Sequence, residues 1–191
     1  MVNEEKAILK YLIEHKETKY SINQLAKARD INYKSAYLNI QKLAKRKIIQ
    51  TEHLGNQVSC SFNYNFDPLV FEVESERRTE ILQEKKINSI YREISPINSP
   101  FLILILFGSY AKRTSTKTSD IDLLLISDDN NLKKQVNQIL SLLPFAIHLN
   151  ELTIAEFLSM LKSREFSVVE EVKKNNILLF GIENYYNLIN K

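Results

Sequence analysis

Apolar residues recur at Ala7, Ile8, Tyr11 and Leu12 between Asn3 and about His15, with no breaker among them, and this spacing predicts a helix. Ser21, with Gln24 three residues on, forms a capping-box pattern ahead of Ile22, Leu25 and Ala26, so a short second helix follows. Asp30-Ile31-Asn32 reads as a tight turn, and Asn32 is placed to cap a third helix running to about Arg46. On that helix Ala36, Ile40 and Leu43 fall on one stripe. Residues 48–53 and 57–62 then read as two short strands around Leu54-Gly55-Asn56. Asp67-Pro68 opens a further helical stretch to Ile94 that lacks glycine and proline, which predicts one long connecting helix ended by Ser95-Pro96 and Ser99-Pro100. Beyond it the pattern alternates. Strands are expected at residues 101–107, 121–126, 145–149 and 177–180, and helices at 132–143, 154–161 and about 166–174, a mixed α/β (α+β) construction.

Charge divides the chain in the same place. Residues 1–66 hold eleven Lys/Arg against six Asp/Glu, a net +5, whereas the remainder holds fifteen against seventeen, a net −2. A basic N-terminal part suggests a polyanionic partner. The order of elements there, three helices and a hairpin, and the segment NYKSAYLNIQKLAKRKIIQ resemble the winged helix-turn-helix family. That resemblance implies binding to double-stranded DNA by a dimer, with the third helix in the major groove. Tyr33, Lys34, Ser35, Tyr37 and Asn39 would then face the bases. Lys42, Lys45, Arg46 and Lys47 would meet phosphates, with His53, Asn56 and Gln57 on the wing. The expected organisation is a DNA-binding domain at 1–66, a connecting helix at 67–98 and a third region at 99–191.

The segment FGSYAKRTSTKTSDIDLLLI carries the clearest chemistry. A strand ends at Phe107, Gly108 permits close approach of backbone to a ligand, and Ser109 offers a hydroxyl and an amide at a helix start, where a phosphate is favoured. Beyond ten intervening residues after Ser109, Asp120 and Asp122 alternate onto one face of the next strand. Two carboxylates so close repel unless a cation sits between them, and Mg²⁺ is the natural one. This pattern of strand, Gly-Ser, gap and Ser-Asp-x-Asp, with Ser119 before Asp120, resembles the nucleotidyltransferase superfamily that includes polymerase-beta-like and minimal nucleotidyltransferases. The resemblance covers roughly residues 85–191 and implies a mixed sheet with flanking helices that binds Mg²⁺ and a nucleoside triphosphate, ATP or GTP.

Two departures stand out. Relatives place a third carboxylate on the strand after the intervening helix, where this chain has His148, either a substituted ligand or a histidine packed for structural reasons. Arg113, after Lys112, stands where many relatives have glycine, and it either cradles phosphate or blocks the turn. Two functions follow. One is a DNA-binding transcriptional regulator carrying a nucleotide-binding domain with weak or lost catalysis. The other is an active transferase that moves AMP to a protein or RNA hydroxyl, as antitoxin-type relatives do to HEPN partners. The Arg46-x₆-His53 spacing matches HEPN-type RNases, but it spans a helix end and a wing and reads as coincidence. The single Cys60 excludes an internal disulfide, and the longest apolar run, residues 101–107, is far too short to cross a bilayer. A cytoplasmic protein is expected.

Overall fold

The computed structural model describes residues 3–55, 57–97, 99–163 and 167–190. Contact density divides the chain into two units whose boundary falls after Val73.

In the first unit, α1 (Glu4–Glu14) buries Ala7, Ile8, Leu9, Leu12 and Ile13. A two-residue strand that the apolar pattern did not announce, β1 (Tyr20–Ser21), precedes α2 (Ile22–Ala28), and the expected Ser21/Gln24 capping box is present. Next, α3 (Tyr33–Lys45) begins at Asn32, whose side chain accepts from the Ser35 amide at 2.8 Å. Its stripe of Ala36, Ile40 and Leu43 is fully buried, as the spacing predicted. The hairpin follows as β2 (Ile49–Leu54) and β3 (Gln57–Phe62), paired in register from Ile49↔Phe62 to Leu54↔Gln57. With β1 they form an antiparallel sheet ordered β1-β3-β2. Between α3 and β2, Lys47 adopts φ 59°, and its carbonyl accepts from Asn63 and Asn65 at 2.9 and 2.8 Å. Those amides hold a turn that an L-residue adopts reluctantly.

The expected single helix over 68–94 is two helices, α4 (Pro68–Ile81), which crosses the boundary between the units, and α5 (Lys85–Ile94). Phase explains the correction. Ile81 and Ile87 both enter one core cluster, yet six residues along an unbroken helix set them about 120° apart. The break at Leu82-Gln83-Glu84 brings both inward, and Asn88 Nδ2 donates to the Leu82 carbonyl at 2.9 Å.

The second unit continues with β4 (Ile103–Phe107), α6 (Gly108–Ala111), β5 (Ile121–Ile126), α7 (Asn130–Ser141) and β6 (Ile147–Leu152). It closes with α8 (Ile154–Lys162), α9 (Val168–Lys174), β7 (Ile177–Phe180) and α10 (Ile182–Ile189). The sheet order is β6-β5-β4-β7, with β5 and β6 parallel across the α7 connection and β4 antiparallel to both β5 and β7. Every residue of β4 is buried, as its unbroken apolar run requires. One sheet face packs Leu104, Leu106, Ile121, Leu123 and Leu125 against Ile87, Ile90 and Ile94 of α5 and Leu132, Val136 and Leu140 of α7. By strand alternation Asp122 and Leu124 belong to the opposite face. Strand ends moved from expectation: Phe101 is 74% exposed and outside β4, and β6 runs on to include Glu151. The start expected for α9, Phe166, lies outside the described residues. No helix among the described residues is long and apolar enough to cross a membrane.

Candidate nucleotide site

The site forms where β4 ends. Gly108 has φ +66°, and a Cβ on it would fall inside the Asp122 carboxylate, 2.9 Å from Cγ. Glycine is therefore required twice, by backbone conformation and by the acid pressed against it. The cause is the β4–β5 register, which sets Phe107 opposite Asp122. Ser109 is half-buried in α6, and its carbonyl accepts from the Thr114 amide at 2.9 Å, closing the loop that follows. Ser119 is turned to that loop, its Oγ accepting from the Thr116 amide at 2.8 Å, so it shapes the approach to Asp120.

Parallel pairing aligns Asp122 with His148 across β5 and β6. The imidazole lies 3.7 Å from Asp122 Oδ1 and 3.9 Å from Asp120 Oδ2, with its side chain 67% exposed. The structural role weighed for His148, a buried ring bonded to backbone, is thereby excluded. It stands open at the mouth of the acid pair. Burial pushes the Asp122 carboxyl above its usual range, Glu171 and Asp120 push the same way, and His148 opposes them. Among the described residues, no three His, Cys, Asp or Glu side chains already converge as a metal site.

Both cations of the turn are matched by acids from elsewhere in the chain. Lys112 pairs with Glu171 of α9 at 2.7 Å, and Arg113 with Glu80 of α4 at 2.6 Å. Arg113 has φ 56°, a conformation glycine adopts freely, which explains why glycine suits this position and shows that the arginine is tolerated there. Its guanidinium turns to Glu80 and leaves the turn open. Glu171 and Glu80 were missed by sequence reasoning. They belong to no motif, and only packing carries them to the turn.

In the first unit, Tyr33, Lys34, Tyr37, Lys42, Lys45 and Lys47 are exposed, with His53 and Gln57 exposed on the hairpin; Asn56 lies outside the described residues. Lys34, Lys42 and Lys45 share with Tyr37 and Leu38 the outward face of α3, opposite the buried stripe. Three of the expected contact residues are placed otherwise. Asn39 is only 8% exposed and donates to Glu4 of α1 at 3.2 Å, because it flanks the buried stripe. The Ser35 hydroxyl also donates to Glu4. Arg46 is exposed, but its guanidinium is committed to Asp67 and to Glu5, the latter at 3.3 Å. Arg46 therefore ties α1 to the start of α4.

The profile of the family described as "Polymerase beta, Nucleotidyltransferase" matches residues 85–184. A solved structure described as "Crystal structure of the toxin-antitoxin with AMP-PNP" is similar at 27% sequence identity over 56% of this chain and 79% of that chain, with a TM-score of 0.35. No curated protein matches.

Proposed function

Because this chain belongs to the polymerase beta nucleotidyltransferase family, we propose that its second unit binds a magnesium–nucleoside triphosphate and that its first unit binds double-stranded DNA, making a nucleotide-responsive regulator. The observation that carries the nucleotide reading is the contact of Gly108 with the Asp122 carboxylate. It gathers an open backbone turn and an acid at one point, as a metal-bridged phosphate requires. Magnesium commonly takes one or two protein carboxylates and completes its shell with water and phosphate oxygens, so Asp120 and Asp122 fit a single ion. Bound there, the ion would neutralise phosphate charge and polarise the phosphorus. The Gly108 and Ser109 amides and the Ser109 hydroxyl orient the phosphates, and Lys112 and Arg113 stand beside them. His148 supplies no oxygen, so the acids of β5 and β6 are one short for a second metal, which supports slow or lost turnover.

The outward face of α3, with Lys34, Tyr37, Lys42 and Lys45 exposed along it, supports duplex binding by its form and charge. A homodimer would match the symmetry of duplex sites. Family membership favours a second reading, transfer of AMP to a protein or RNA hydroxyl, which incubation with α-labelled triphosphate and a HEPN-type partner would reveal. The deciding experiment is calorimetry with Mg²⁺ and ATP or GTP. Wild type should bind, and Asp122→Asn should bind at least tenfold more weakly with its DNA affinity retained. No heat from wild type with either nucleotide would remove the ligand site.

A further inference from the structure

Within the second unit, a polar cavity of about 620 Å³ lies between the α4–α5 break and the loop that precedes β5. Glu84, Lys85 and Lys86 line one wall, Ser115 and Lys117 the other, and Tyr110 of α6 lines it as well. The two walls are tied, because Lys86 Nζ donates to the Lys117 carbonyl at 3.3 Å. The cavity is positive. Lys85, Lys86 and Lys117 make no ion pair among the described residues, and Glu84 is the one carboxylate among the described lining residues. Those three lysines against one acid leave a surplus of two positive charges, which a phosphomonoester dianion matches. The first turn of α5 adds to this, since the ten-residue helix has no side-chain cap and its leading amides are left for an outside acceptor. Tyr110 gives an independent sign of a ligand. Its ring packs in the core cluster with Ile81 and Ile87, and the residue is only 5% exposed. Its hydroxyl nevertheless makes no hydrogen bond among the described residues and is not sealed from solvent. The space onto which it opens is this cavity. A tyrosine hydroxyl carried so deep usually has a hydrogen-bond partner, and here a ligand would supply it.

We propose that this cavity is a metal-independent site for a phosphomonoester, carried by a free nucleoside monophosphate or by the terminus of an RNA strand. The Tyr110 hydroxyl and the leading α5 amides donate to the phosphate oxygens, and the Lys85 and Lys117 ammonium groups supply the balancing charge. The volume far exceeds that of a lone phosphate and falls within the usual range of small-molecule sites, so a nucleoside has room beside it. The site is separate from the acid pair. Tyr110 belongs to the core cluster on one face of the sheet, whereas strand alternation puts Asp122 on the other. The assignment therefore does not rest on the nucleotide reading above.

The test uses the full-length chain in EDTA. AMP and adenosine are compared by calorimetry, and a short oligoribonucleotide with and without a 5′-phosphate by fluorescence anisotropy. Wild type should bind the phosphorylated member of at least one pair about tenfold more tightly, and which pair shows the preference identifies the source of the phosphate. Changing Lys85 and Lys117 together to glutamine should erase the preference. Tyr110→Phe, which keeps the ring in the core, should weaken the phosphorylated ligand about fivefold. Lys112→Gln should leave it unchanged. Equal binding within both pairs would overturn the site. So would a preference lost in Lys112→Gln and kept in the Lys85 and Lys117 variant, which would put the phosphate at the Gly108-Ser109 turn. Tyr110→Phe binding as wild type does would reduce the cavity to exposed lysines and overturn the assignment as well.

Discussion

The two units place their positive charge in opposite ways. On the outer face of α3, Lys34, Lys42 and Lys45 are exposed and make no ion pair among the described residues. At the turn after β4, Lys112 and Arg113 are each paired before any ligand arrives, with Glu171 and Glu80. Unpaired lysines in water carry counterions whose release favours a long polyanion of any sequence, and such binding weakens steeply with salt. Paired cations offer little to a passing anion. They are available only to a ligand that can displace Glu171 and Glu80. The proposed division of labour, general attraction in one unit and conditional binding in the other, thus follows from whether each cation has a carboxylate within reach.

The severest way to break this comparison is Gly108→Ala. The new methyl enters the Asp122 carboxylate, and φ +66° is unfavourable for alanine. The second unit should lose about 2–4 kcal/mol of stability. Nucleotide binding should fall below detection. DNA affinity, measured by fluorescence anisotropy with a random-sequence duplex, should not change at a temperature where the variant is folded. A parallel loss of DNA binding would show that the two functions are not separable. Changing Lys42 and Lys45 together to alanine is the converse experiment. Each removes about one phosphate contact, so the slope of log affinity against log salt should fall by about two, with Mg–ATP binding unaltered. An unchanged slope would remove this face from the account.

What could be read in the sequence is local. The buried strand, the Gly-Ser turn and the Asp-x-Asp pair lie within twenty residues, and strand alternation alone brings the two acids to one face. The stripe on α3 was equally legible, and it also contained the position of Asn39, one residue before Ile40 and three after Ala36, at the edge of the buried face. The break between α4 and α5 carried no glycine or proline, and only the changed phase of Ile81 against Ile87 marked it. Glu171 and Glu80 lie 59 and 33 residues from the cations they meet, and no spacing rule connects positions joined only by tertiary packing. Arg46 shows the same limit, since composition counted it among the cations while the fold gave it Glu5 and Asp67.

Arg46→Ala therefore sharpens the contrast within the first unit. Its partners are acids of α1 and of the approach to α4, so the loss should appear as stability, about 1 kcal/mol in denaturant unfolding. The salt slope for DNA should match wild type at temperatures where the variant is folded. A slope lowered by about one with unchanged stability would place the guanidinium on DNA and its ion pairs among the dispensable ones.

The smallest expected effect concerns the cost of keeping the nucleotide site charged. Burial raises the Asp122 carboxyl above its usual value, and Glu171 and Asp120 add to the rise. A carboxyl raised in the folded state binds its proton more tightly than in the unfolded chain. Its favourable contribution is therefore complete below the unfolded value, near pH 4, and is lost as pH rises through the folded one. At neutral pH the ionised acid works against the fold until a cation offsets it. Asp122→Asn removes that charge with little change of shape. In chelator at pH 7.5 the variant should be more stable than wild type by about 0.5 kcal/mol, or about 1–2 °C in thermal unfolding followed by circular dichroism. The difference should shrink as the pH is lowered and the wild-type acid takes up its proton, and reverse when Mg²⁺ and ATP stabilise only the wild type. A variant less stable than wild type at both pH values in chelator would make Asp122 a structural acid, held by the Gly108 turn for the fold's sake.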